Sequence, residues 1–250
     1  AMQAAFAHKG VRWIAGGWVA FMTENVVLSH NRQEIIAEFG EKAYRTGYSC
    51  LSTAACSSIL YGYLRYGRKQ GPIIWRPNTP AGAAALLLQG CGLVGFSQMF
   101  PPLSTLKPPA ETPAPVAQDA KAAPPKDGAR QQGEVAGLHR VSRHPFLWSL
   151  GLLGVGTALT TPFAPEIVFF SMPCAFAFIG GAHQDYRHRR GWGGYLTPEL
   201  EAQTSLLPFG ALVAGRQSWE RTWSELKQEN ALAGAGLAVV LALLRLGRRR

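Results

Sequence analysis

The chain has 250 residues, 47% of them hydrophobic and only 16% charged, against about 25% charged in an ordinary soluble domain. That deficit excludes a water-soluble globule, and the apolar residues come in long blocks separated by basic or proline-rich stretches, which predicts one polytopic, all-α transmembrane bundle. The net charge of +10 does not point to nucleic acid, because lysines and arginines flank the apolar blocks and form no stripe interleaved with aromatics. Membrane lipids and other membrane protein subunits are the expected partners.

Taken in order, Ala1-Met-Gln-Ala-Ala reads like what remains after a presequence is removed, a hint of organelle import. Trp13 to Leu28 is apolar except for Thr23, Glu24 and Asn25. An ionisable group at membrane depth is costly unless paired, so Glu24 and Asn25 are expected to face protein. Ser29 to Gly40 has mixed charges with Ile35, Ile36 and Phe39 on one side, as an interfacial helix would, and Gly40 suits its C-terminal cap. Thr46 to Leu64 is an uncharged run rich in small residues, and the loop with Arg65, Arg68, Lys69 and Arg76 holds no acid, as expected on the cytoplasmic, matrix or stromal side. Pro80 to Phe100 makes a third span, whose Gly82, Gly90, Gly92 and Gly95 can admit a neighbouring backbone, a lipid tail or a flat pigment. Cys50, Cys56, Cys91 and Cys174 lie inside apolar runs without a Cys-x-x-Cys pair and read as small core residues.

Residues 101–137 are dominated by Pro, Ala, Lys, Asp and Gln. They cannot bury enough surface to offset their ordering entropy, so a long extended linker outside the membrane is predicted, free to wrap a partner. It divides the chain into 1–100, with three spans, and 138–250, with the rest. Pro145 to Pro165 is an uncharged run, and with Ile167 to Ala182 it reads as a helical hairpin turned by Thr160 to Glu166. Leu206 to Val213 is too short to span. Ala231 to Leu244 spans if the polar stretch from Ser218 continues its helix and Arg245 snorkels. The expected count is about six spans, with both termini on the positive side, where the Arg248 to Arg250 tail also falls.

Two arginines and a histidine stand at the entry Arg140-Val-Ser-Arg-His-Pro-Phe-Leu-Trp148. Pro145 suits the first helical position, which holds His144 at the helix mouth. A histidine there can bind a metal or haem, donate to a lipid phosphate, or end a loop. Asp185 and Arg187 lie at the same membrane edge, so an ion pair of Asp185 with Arg143 or with Arg187 is expected. Glu24, Asn25, Arg143, Asp185 and Arg187 form the candidate polar set.

Gly40-Glu-Lys-Ala-Tyr-Arg45, Val141-Ser-Arg-His-Pro145, Asp185 with Arg187, Ser205-Leu-Leu-Pro-Phe209 and Gly215-Arg-Gln217, in this order and spacing, resemble the NnrU family. That family includes a plastid carotenoid isomerase, in which two histidines hold haem b and the iron acts on a double bond. The resemblance implies His144 as a haem ligand. Counting back from Gly40-Glu41 places the other ligand position at Asn25, the family's further histidine falls at Thr157, and His30 is a substitute only after a local shift. Asn does not serve as an axial haem ligand. The expected function is therefore a non-catalytic accessory subunit of an organellar energy-converting complex, a photosystem or a respiratory one, with chlorophyll, carotenoid or lipid at its periphery. The alternative is a haem-dependent zeta-carotene-type cis-trans isomerase. The plastid, thylakoid or envelope, is the expected location, with the mitochondrial inner membrane as the alternative.

Overall fold

The computed structural model describes residues 2–106 and 135–247. The expectations for most of the linker and for the Arg248 to Arg250 tail fall outside the described residues. Helix α1 (Met2–Ala7) leads into α2 (Lys9–His30), where the ring of His8 accepts from the Gly10 N–H at 3.2 Å. Then come α3 (Arg32–Phe39) and α4 (Glu41–Gly62), the latter prolonged by a π turn, Tyr63–Gly67. Gly40 separates α3 from α4 at φ 83°, a left-handed conformation open to glycine, and its N–H closes α3 on the Ile36 carbonyl. Helix α5 (Thr79–Ser97) starts under the side chain of Asn78, which accepts from the Ala81 N–H. The second half holds α6 (Pro145–Ala158), α7 (Ala164–Arg189), α8 (Pro198–Gln203), α9 (Gly210–Val213), α10 (Trp219–Ser224) and α11 (Gln228–Gly247).

The long helices pack in the order α11, α5, α6, α7, α2, α4. There is no strand among the described residues. An isolated bridge between Ile73 and Phe163 ties the basic loop to the α6–α7 turn. The loop is held there by the Trp75 indole, donating to the Thr161 carbonyl at 2.9 Å, and by buried Glu166, whose carboxylate accepts from the Lys69 N–H at 2.9 Å.

Three helices, α5, α7 and α11, are long and apolar enough to cross a membrane. Helices α2 and α4 have 22 residues each but carry polar groups along their length. Helix α6 is apolar but has 14 residues, about 21 Å of helix. It stops at Ala158, just before the turn expected at Thr160 to Glu166, where Pro162 disfavours helical geometry at Thr161. Helix α7 runs past the expected Ala182 to Arg189, so Asp185 and Arg187 stand on its last turns. The polar lead into α11 is broken at 225–227, and the helix starts only at Gln228.

Glycine decides how closely α5, α6 and α11 approach. A Cβ on Gly92 would stand 2.6 Å from the Leu153 nitrogen and 2.7 Å from the Ser149 carbonyl oxygen; one on Gly156 would stand 2.9 Å from the Ala85 oxygen. Helix packing is thus what Gly92 is for, whereas Gly82 meets nothing within 4 Å. The cysteines depart from expectation. Cys50 and Cys56 are exposed, because α4 lies at the end of the packing order and turns most of its surface outward, while Cys91 and Cys174 are half-buried.

Candidate functional site

The segment 141–144 enters α6 clasped by the segment 205–209. The Arg143 N–H donates to the Ser205 carbonyl at 3.0 Å, the Phe209 N–H to the Val141 carbonyl at 2.8 Å, and the Ser142 hydroxyl to the Leu206 carbonyl at 2.8 Å. The same hydroxyl accepts from the His144 N–H at 3.1 Å. Phe209 adopts φ 63° without being glycine, and its ring stacks on Trp219 with centroids 6.1 Å apart.

This clasp aims a guanidinium and an imidazole at one carboxylate. Arg143 meets Asp185 through Nη2 at 2.7 Å and Nε at 3.0 Å, and reaches the Thr204 hydroxyl at 3.2 Å. His144 places Nε2 2.8 Å from the other Asp185 oxygen. Asp185 and His144 are buried. A Cβ on Gly181 would lie 2.8 Å from the imidazole, so the absence of a side chain on α7 makes room for the ring. Of the two ion pairs expected for Asp185, the structure contains the one with Arg143. Asp185 and Arg187, two apart on a helix, face different sides.

A second ion pair, of a buried arginine with a carboxylate at the surface, was not visible in the sequence. Arg140, 7% exposed, closes on both oxygens of Glu225 at 2.6 and 3.0 Å and on the side-chain amide oxygen of Gln217 at 2.7 Å. The guanidinium holds the Glu225 carboxyl below its ordinary carboxylate range. Gln217 belongs to the Gly215-Arg-Gln217 motif, which was the only available signal.

Glu24 and Asn25 form a separate group between α2 and α4. Glu24 accepts from the Ser52 hydroxyl at 2.8 Å, and Asn25 accepts from the Tyr48 hydroxyl while donating to the Phe21 carbonyl at 2.8 Å. The candidate polar set is therefore two clusters, with Arg187 on the α7 face turned toward Asn25. Thr157 sits in a third polar contact, accepting from buried Gln89 at 3.0 Å, and Arg245 donates to the same Gln89 from α11.

A haem b held by two histidines does not fit these residues. His144 already spends Nε2 on Asp185, with Gly181 against its ring. Asn25 and Thr157 occupy the other family positions with oxygen and amide groups tied to their neighbours. His30 lies in an aromatic cluster with His183, Tyr186 and Trp192, at centroid distances of 5.9, 6.1 and 5.7 Å.

The NnrU protein family model matches residues 14–247, nearly the full length of the bundle. The chain belongs to the NnrU family. No curated protein and no solved structure matches it. In this NnrU chain the Arg-His-Pro entry also borders an apolar groove of about 530 Å³ between α5, α6, α10 and α11. Leu87, Val94, Trp148, Leu212, Trp223 and Val239 contribute to its wall. The Trp148 indole N–H is buried there without a partner.

Proposed function

We propose that this NnrU protein is a non-catalytic integral membrane subunit of an organellar energy-converting complex. The observation that carries this reading is the engagement of His144 by Asp185. The histidine that would bind iron in a haem-containing relative is used here to lock the start of α6 to the end of α7. Arg143 and Asp185 neutralise one another at that junction, with the Thr204 hydroxyl taking a further guanidinium N–H and His144 held on the same carboxylate, an arrangement that fixes helix positions.

In this reading α2, α4 and α6 also cross the membrane, giving six spans, with α6 shortened to the depth that its neighbours α5 and α7 cover. The outward face of α4, which carries exposed Leu51, Leu60, Tyr61 and Leu64, is a surface for other membrane subunits or lipid. The groove beside Trp148 takes an elongated apolar molecule such as a chlorophyll tail, a carotenoid or a lipid chain. A plastid membrane, thylakoid or envelope, suits the reading better than the mitochondrial inner membrane, because the family's isomerase branch is plastidial.

The groove also favours a second reading, a carotenoid cis-trans isomerase, since a polyene would lie beside Pro145 and Trp148. One measurement separates the two: native-gel migration of the solubilised protein, with an absorption spectrum of its band. Migration with a large assembly, unaffected by His144→Ala, supports the subunit. Stoichiometric haem b in a small band, lost on His144→Ala, overturns it in favour of the enzyme.

A further inference from the structure

We propose that the cavity between α2, α4, α6 and α7 binds a phosphate group through Arg187 and His183. The cavity measures about 220 Å³, and its polar wall consists of Asn25, Ser29, Tyr48, His183, Gln184 and Arg187. Two atoms on that wall, His183 Nε2 and Arg187 Nε, are buried and have no hydrogen-bond partner. Arginine stays charged in any protein environment, and a buried N–H without an acceptor is a cost that a ligand oxygen removes.

The nearby carboxylates are committed elsewhere. Asp185 faces Arg143 and His144, and Glu24 accepts from Ser52 on α4. A second guanidinium stands on the same flank: a Cβ on Gly193 would lie 3.3 Å from Arg187 Nη2 and 3.7 Å from Arg32 Nη1. Glu41, the acid closest to Arg32, is 3.9 Å from it. Asn25 uses its oxygen for Tyr48 and donates to the Phe21 carbonyl, which leaves it an amide hydrogen to offer. No lining residue is an acid. A donor-rich cavity with a fixed positive charge and no carboxylate selects an anion with several acceptor oxygens.

Depth favours phosphate. The cavity lies near the end of α7, where Arg190 rests on the Tyr186 ring at 3.7 Å and Trp192 follows in the turn, the residue types of a membrane–water boundary. Leu147 and Phe176 supply an apolar wall beside the polar one. The phosphate comes either from a lipid headgroup, its chains continuing past Leu147 and Phe176, or from free phosphate in solution.

The test uses the full chain in nanodiscs of phosphatidylcholine, with and without phosphatidylglycerol, and in detergent with inorganic phosphate; retained ligand is read by native mass spectrometry. Retention of one phosphatidylglycerol, weakened about tenfold in Arg187→Gln as one charge-assisted hydrogen bond implies, is the expected result. Arg187→Lys should recover part of it, and Arg190→Gln should leave it unchanged. Retention of inorganic phosphate with the same dependence on Arg187 supports the site with a soluble source. Should Arg187→Gln fail to accumulate, His183→Leu removes only one donor and is read in the same way. Equal retention by wild type and variant, or retention of neither probe by wild type, overturns the proposal. None of these outcomes depends on whether the protein is a subunit or an enzyme.

Discussion

Arg143 and Asp185 meet through two nitrogens of one guanidinium, with side chains 12% and 4% exposed, across the junction where α6 begins and α7 ends. Removing the carboxylate strands both Arg143 and His144 among buried neighbours. Asp185→Leu should therefore destabilise the protein by about 3–5 kcal/mol, whereas Asp185→Asn, which keeps an acceptor oxygen, should cost less. Thermal unfolding of the solubilised protein reads the difference. A melting temperature for Asp185→Leu equal to wild type would show that the junction contributes nothing.

The Arg140 clamp gives a pH signature. The Glu225 carboxyl is held down chiefly by its hydrogen bonds with Arg140. A carboxyl lowered on folding contributes stability that is complete above its unfolded value of about 4.3 and is lost as pH falls through the lower folded value. Part of the decline in melting temperature on acidification should thus disappear in Glu225→Gln, which is also weaker near neutral pH. Parallel profiles for the two proteins would contradict this assignment.

Helix approach supplies a third expectation. Gly92→Leu would drive a side chain into the α6 backbone at Ser149 and Leu153, an overpacking cost of about 1–3 kcal/mol. Gly82→Leu, in open space on the same helix, should be close to neutral. The comparison is read from monodisperse yield after solubilisation, and equal yields would refute the packing role of Gly92.

Glu24→Leu breaks the contact with Ser52 and alters the seam between α2 and α4, with an expected cost of about 1 kcal/mol. Exposed Glu34 on α3 is the control. Accumulation and complex association should fall in Glu24→Leu and hold in Glu34→Leu. Identical behaviour of the two would place Glu24 outside the assembly.

Several of these features were legible in the sequence because they depend on local chemistry. Pro145 at a helix start and Gly40 at a helix end are set by φ alone, and both stand where they were expected. The pairing of Arg143 with Asp185 was accessible as one of two options, since antiparallel helices bring a start and an end together. Helical geometry could have removed the other option, because residues two apart do not share a face. The turn between α6 and α7 was legible too, since the prolines of Thr160 to Glu166 interrupt the backbone although hydropathy continues through Leu159 and Phe163. Arg140 with Glu225 had no comparable signal: partners 85 positions apart meet only when the segments 205–217 and 219–225 have folded over the α6 entrance. The orphaned Arg187 was equally hidden, as its isolation depends on where every nearby acid has gone.

The two described ends of the proline-rich insertion are fastened within one short stretch. Asn230 donates to the Ser97, Phe100 and Pro101 carbonyls and accepts from the Leu103 N–H, while Glu225 takes the Gly137 N–H and Arg140. Separating the anchors from what they bracket makes residues 107–134 a natural port for protein engineering. The register of α5 against α11 is set by contacts at 97–103 and 225–230, so a fluorescent reporter or affinity handle spliced between the anchors should leave the helices in place.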